Sequence, residues 1–216
     1  ALEDLDAGLA ITNGWSRTAR RLNDDFEVSV AMVPGKRCLG GMLELLMHCH
    51  YVVAVDDARF GFPEVTLPVV PVMEGCHWPL RRASKDHWPK VMELLLTGRP
   101  VRASNAVGWL VDYAGPLEDA LGMAWSLASG GDHGIAMRPL EEGPLGDIAE
   151  PSELPEADSP DMEVARAAIL ECARQAGGVS LAEALEVQAK LAAEFLTGRA
   201  CRKGVVGGEY TKTMKV

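Results

Sequence analysis

Two glutamates twenty residues apart, each set behind a turn that distorts the backbone, constrain this chain more than any other feature. Cys38-Leu39-Gly40-Gly41-Met42-Leu43-Glu44 opens an apolar helical run, Met42 to Cys49. A strand-like run, Tyr51 to Val55, follows, and Gly61-Phe62-Pro63-Glu64 closes the unit. Glycines before a helix permit positive φ and let another molecule approach the backbone closely. The first N–H groups of a helix have no intrahelical acceptor and lie at the positive end of its dipole. A carbonyl oxygen turning negative there would gain roughly 3–4 kcal/mol per well-placed donor. Taken alone, Gly-Gly-x-x-Glu also describes an ordinary helix start with an acidic residue favouring the dipole. The second carboxylate at matched spacing makes the stretch a candidate site.

These residues resemble the crotonase (enoyl-CoA hydratase) superfamily. Its pattern is an Ala-Leu-Gly-Gly-Gly-x-Glu turn, an apolar helix and strand, and a Phe-Gly-x-Pro-Glu turn. The spacing from Glu44 to Glu64 is that of the hydratase branch. The resemblance covers residues 15–128, with weaker support over 162–216. It implies an α/β fold, a ββα spiral with C-terminal helices for trimer-type assembly. It also implies an acyl-CoA thioester substrate, with no metal or redox cofactor and coenzyme A present only as part of the substrate. In that scheme the Gly41 N–H stabilises an enolate, and Glu44 and Glu64 hold a water and divide the acid and base roles. Two nearby carboxylates in opposed environments can split their pKa values; which one is protonated stays open. Gly40, Val72, Met73 and Lys212 are the implied substrate contacts. Lys212 stands where many family members place a lysine that meets CoA phosphate oxygens, with a solvated tail lysine as the alternative. The family's loop after the second glutamate is rich in small residues, usually Gly-Ala-Gly-Gly, whereas this chain has Pro71-Val72-Met73-Glu74-Gly75. Val72 and Met73 add bulk and Glu74 adds charge. Double-bond isomerisation, thioester hydrolysis, C–C cleavage and a non-catalytic assembly subunit therefore stay open beside hydration.

Along the chain, Leu5 to Ile11 reads as a short segment ended by the turn signal Asn13-Gly14. Trp15, Ala19 and Leu22 recur at helical spacing. Phe26, Val28, Val30 and Met32 alternate as in a strand, and Pro34-Gly35 ends it with one residue inserted near Lys36-Arg37, relative to the family. A helix from His87 to Thr97 is marked by Trp88, Val91, Met92, Leu95 and Leu96, with Pro89 in its first turn and Gly98 past its end. Gly130 to Asp161 contains five prolines, nine acidic residues and a single Arg or Lys, Arg138. Such a stretch buries little and reads as a surface excursion or linker, with a substrate lid as the functional alternative. Beyond it, Met162, Ala165, Ile169 and Cys172 share a helical face, and Ser180 with Glu183 forms a capping box for a second helix. The organisation is a partial crotonase-like spiral core over 1–129, an acidic excursion over 130–161 and a C-terminal helical assembly region over 162–216.

The net charge of −10 argues against nucleic acid as a partner, because a phosphate backbone selects a basic surface. No run of apolar residues is long enough for a membrane helix. Five cysteines without a framework spacing suit a reducing compartment, and the first residues lack signal-peptide regions, so a cytoplasmic location is expected. His48 and His50, if on one helix, point roughly 200° apart and cannot share a metal ion. Family members carry a long N-terminal portion ahead of the strand matched by Phe26 to Met32, including a second oxyanion N–H. Residues 1–25 contain no segment resembling it. The expectation is a homo- or hetero-oligomer, a trimer or dimer of trimers, with a second polypeptide able to supply the missing part.

Overall fold

The computed structural model describes residues 4–198 and 201. Helix α1 (Leu5–Asp24) comes first, capped by Asp4, whose side chain accepts the Asp6 N–H at 3.0 Å. The chain then alternates between two small sheets. Strands β1 (Val30–Val33), β3 (Tyr51–Val55) and β6 (Tyr113–Gly115) form one, parallel and in the order β1-β3-β6, with Val30 opposite Tyr51 and Val53 opposite Tyr113. Strands β2 (Arg37–Leu39), β4 (Arg59–Gly61) and β5 (Val101–Arg102) form the other; β2 and β4 run parallel with Cys38 opposite Phe60, and β5 is antiparallel to β4. Consecutive strands from β1 to β4 fall in different sheets, so each circuit lays one strand on each. Helix α2 (Gly41–Met47) carries the chain from β2 back to β3. This is the expected α/β spiral. Strand β3 is an unbroken apolar run because it is central in a parallel sheet and covered on both faces. Tyr51 and Val53 meet Ala120 and Leu127 of helix α6 (Leu117–Ser129) on one side, while Val52 and Ala54 join the main core on the other.

That main core gathers Leu43, Phe60, Phe62, Leu110, Trp78 of helix α3 (Trp78–Arg82), and Met92 and Leu95 of helix α4 (Trp88–Thr97). Pro89 lies in the first turn of α4, and Gly98 closes it at φ +69°. A short helix α5 (Ala103–Ala106) leads towards β6. Helices α7 (Pro160–Gly177) and α8 (Leu181–Leu196) pack on each other, and α8 also packs on α1. Met162, Ala165, Ile169 and Cys172 are the buried face of α7, and the Ser180–Glu183 capping box is formed. Among the described residues no helix is long and apolar enough to cross a membrane.

Several local expectations are corrected. Residues 5–24 form one helix, and the Asn13-Gly14 turn is absent. The buried side of α1 is Gly8, Thr12, Ser16 and Ala19, small residues packed closely under α8. That packing outweighs the roughly 1 kcal/mol cost of a helical glycine. Trp15, at helical spacing from the buried Ala19, is 51% exposed. The first strand begins at Val30, not Phe26, which is 55% exposed. Just before it, Ser29 is held by side-chain bonds: its N–H donates to His50 Nδ1 at 3.1 Å and its hydroxyl to the Leu22 carbonyl at 2.6 Å. Between β1 and β2 the backbone is left-handed at Gly35 and Lys36, φ +119° and +62°. Helix α2 stops at Met47 instead of Cys49. There the His48 N–H bonds Leu45 O, and the Glu44 carbonyl that it would otherwise have used takes the His48 ring Nδ1 at 2.8 Å. His48 and His50 are therefore not on one continuing helix.

Residues 131–159 hold no regular element, yet they are fastened to the core. The Arg81 guanidinium donates to the carbonyls of Glu141 and Gly143 in this strap, and to those of Ala176 and Val179 beyond it. Arg138 pairs with Asp112 at 2.6 Å, and Leu145 is buried.

Candidate active site

Glu44 projects from the first turn of α2 and is 1% exposed. Its carboxylate is gripped by the loop that follows Pro71. The Val72 N–H donates to Oε1 at 3.2 Å; the Met73 and Gly75 N–H groups donate to Oε2 at 2.7 and 2.9 Å. Burial pushes the Glu44 carboxyl up to about 7, against those three donors, which favour the charged form. Glu64 stands in the 3₁₀ turn Pro63–Thr66. Its Oε2 is buried and accepts no hydrogen bond. Burial, followed by the nearby Glu44 charge, pushes its carboxyl up to about 8. The two carboxyls are thus placed differently: Glu44 is furnished with three donors and Glu64 Oε2 with none, while burial raises both.

Gly40 is left-handed at φ +58°, and a Cβ there would meet Glu64 Oε1 at 2.7 Å. Gly41 is the first residue of α2, so its N–H has no acceptor within the helix. Both glutamates and Gly41 line one cavity of about 470 Å³, walled by Trp15, Val69, Val70, Val72 and Met73. Met73 lies over Gly41, its Cε only 3.1 Å from where a Gly41 Cβ would be. Val72 and Met73 therefore line the cavity and also hold Glu44 through their backbone N–H groups. Gly40 does not line the cavity; it supports Glu64 from behind. Lys212 lies outside the described residues.

Sequence reasoning missed three groups. Trp15 reaches the cavity from α1, and the only sign of it was a large aromatic on a helix whose other faces are small or charged. Val69 and Val70 are the apolar wall between Glu64 and the loop. The charge of Glu74 does not enter the cavity. Its fully buried carboxylate accepts Arg20 Nε at 2.8 Å and Nη2 at 2.5 Å, and lies 3.3 Å from His48 Nε2. His77 Nε2 is 3.2 Å away. Burial would raise the Glu74 carboxyl, but these contacts hold it far below the usual carboxylate range. An acidic residue in a loop otherwise apolar, with an arginine-rich helix elsewhere in the chain, was the available signal.

Residues 12–130 match the sequence profile of the enoyl-CoA hydratase/isomerase family. This chain belongs to that family. It is 37% identical over 134 residues to a protein of Rhizobium meliloti named "probable enoyl-CoA hydratase", a match covering 59% of this chain and 49% of that one. The chain spans about half the length of the curated relatives that it matches first. Its fold is shared with an enoyl-CoA hydratase from Rhodobacter sphaeroides at a TM-score of 0.63 and 17% identity, over 96% of this chain and 68% of the other. It is equally shared with a carnitinyl-CoA dehydratase from Mycobacterium thermoresistibile, also at 0.63 and 17%, over 93% and 66%.

Proposed function

We propose that this chain carries the two-carboxylate part of an enoyl-CoA hydratase site. The observation that carries the reading is that Glu44, Glu64 and the free N–H end of α2 at Gly41 share one largely apolar cavity. Glu44, ionised, takes a proton from a water that its Oε1 can still accept, and the water oxygen bonds the β-carbon of an enoyl thioester. The α,β double-bond electrons move onto the thioester oxygen, where the Gly41 N–H stabilises the enolate. Glu64, carrying a proton, gives it to the α-carbon as the enolate collapses. A net proton transfer from Glu44 to Glu64 resets the pair. Coenzyme A enters as part of the substrate; the chemistry needs neither a metal nor a redox group. A cytoplasmic homo- or hetero-oligomer, with Lys212 meeting a CoA phosphate and another polypeptide supplying a second oxyanion donor, completes the proposal.

One observation favours a second reading. Three loop N–H groups already occupy Glu44, which leaves Glu64 the freer group and suits a one-base double-bond isomerase. A panel of acyl-CoA thioesters, assayed with the chain alone and with any copurifying polypeptide, separates these readings. Formation of 3-hydroxyacyl-CoA from an enoyl thioester supports hydration. A shifted double bond supports isomerisation, release of free CoA points to hydrolysis, and no turnover with a complete assembly points to a non-catalytic subunit.

A further inference from the structure

We propose that Glu74 is a positioning residue for Glu44: clamped by Arg20, it fixes the turn whose N–H groups grip the Glu44 carboxylate. The inference rests on the reading that Glu44 works in the cavity, and it reaches beyond that reading to residues that never touch substrate.

The argument begins with the backbone. Glu74 sits at φ +67°, a left-handed conformation that glycine adopts freely and a glutamate adopts only under constraint. Strain of this kind persists where surrounding contacts over-determine it. Here it has a geometric result: the left-handed residue turns the chain so that the N–H groups on either side, Met73 and Gly75, converge on one oxygen, Oε2 of Glu44. Backbone amides converging in a turn in this way form an anion-binding concavity.

The side chain supplies the constraint. Arg20 of α1 makes two contacts to the Glu74 carboxylate and also donates to the Leu181 carbonyl at the start of α8 at 2.6 Å. His48 bridges the two glutamates. Its Nδ1 must carry hydrogen, because the Glu44 carbonyl can only accept, and its Nε2 faces Glu74. The rest of the loop is tied from the same pair of helices. Ser16 Oγ donates to the Val72 carbonyl at 3.3 Å and Gln188 Nε2 to the Pro71 carbonyl at 2.9 Å. The loop is thus pinned at Pro71, Val72 and Glu74 by α1 and α8.

The device has a directional signature. The charged or titratable groups around Glu44 are Glu74 on the loop with its partners Arg20 and His48, Glu64 on the 3₁₀ turn and Cys76 beyond the loop; the Glu44 charge in turn raises Glu64 and Cys76. The Glu74 charge raises the Glu44 pKa, whereas each of the three N–H bonds lowers it by more than that charge raises it. Removing only the charge should therefore move Glu44 down, and removing the anchor should move it up.

The test is a ¹³C NMR titration of glutamate side-chain carboxyls in the full chain, with Glu44 assigned through Glu44→Gln. In Glu74→Gln the amide still accepts from Arg20, so the Glu44 midpoint should fall. In Glu74→Gly the turn is free to be left-handed but unanchored, and the midpoint should rise by about one pH unit or more. Because Glu74→Gly strands Arg20 without its counter-charge, the double variant Arg20→Met/Glu74→Gly carries the same expectation. A Glu44 midpoint that stays put or falls in the glycine variants overturns the proposal, as does a rise in Glu74→Gln. A parallel assay with crotonyl-CoA should show kcat reduced about tenfold or more in Glu74→Gly, KM within about threefold, and kcat largely restored in Glu74→Gln. If wild type shows no turnover even with its copurifying polypeptide, the functional reading fails while the titration still decides the positioning role.

Discussion

A methyl group at position 75 would sit 2.7 Å from Oε2 of Glu44, so Gly75 donates its N–H to that same oxygen only because it is glycine. A Cβ on Gly40 would likewise sit 2.7 Å from Oε1 of Glu64, although the Gly40 N–H goes to the Gly61 carbonyl. Each carboxylate is thus backed by a glycine that a Cβ would push away. Gly75→Ala should displace the loop and weaken the hold on Glu44. Gly40→Ala places a Cβ at φ 58°, ψ −137°, a sparsely populated conformation costing on the order of 1–3 kcal/mol. Both variants should fold, with kcat lowered about tenfold or more and KM little changed. Thermal unfolding alongside steady-state kinetics checks this; wild-type kcat in Gly75→Ala would mean that the loop yields without consequence for Glu44.

Replacing each glutamate removes one proton-transfer group at nearly constant volume. Glu44→Gln and Glu64→Gln should each lower kcat by about two orders of magnitude, the ordinary range for general acid–base groups. Loss in Glu64→Gln alone, with Glu44→Gln near wild type, would instead fit the one-base isomerase. Product analysis on the same samples separates the two.

Stability should depend on pH in two opposite ways. Glu64 has its folded pKa raised to about 8, above the roughly 4.3 of an unfolded glutamate. The folded chain therefore holds a proton that the unfolded chain releases, and stability falls as pH rises from about 4 to about 8. Glu44, raised to about 7, acts the same way. Glu74 is depressed, so its contribution is present above pH 4–5 and is lost as pH falls further. Wild type should be most stable on the mildly acidic side of neutrality. Glu64→Gln should gain several degrees in Tm at pH 9 and almost nothing at pH 5; an equal change at both would show that Glu64 is not buried as a neutral acid.

How much of this was legible without coordinates follows from the range of the interactions. The run from Cys38 to Glu64 declares itself because its glycines, apolar periodicity and carboxylates are local, and so does the capping box at Ser180 and Glu183. Helix α1 was misread because Asn13-Gly14 is a strong local turn signal that only the packing of Gly8, Thr12 and Ser16 under α8 overrides. The role of Glu74 was hidden for the same reason. Its partner Arg20 lies 54 residues away in the chain, and no periodicity links them. The excursion over 131–159 reads as solvated by composition, yet Arg81, 60 residues before Glu141, fastens it through backbone carbonyls that carry no sequence signature.

Val72 and Met73 offer the sharpest test of which reaction the cavity runs. Their N–H groups hold Glu44, so any substitution except proline keeps those donors. Their side chains, however, wall the cavity, and Met73 covers Gly41. Bulk there competes with the water that hydration needs and leaves an isomerase, which needs none, unaffected. Val72→Gly/Met73→Ala should therefore raise the ratio of hydrated to isomerised product from a single enoyl thioester, while removing side-chain volume that costs about 1–3 kcal/mol of packing at a partly buried position. The measurement is a chromatographic product ratio at matched conversion. An unchanged ratio would mean that water reaches the β-carbon from another side, and that the two side chains act only on the acyl group.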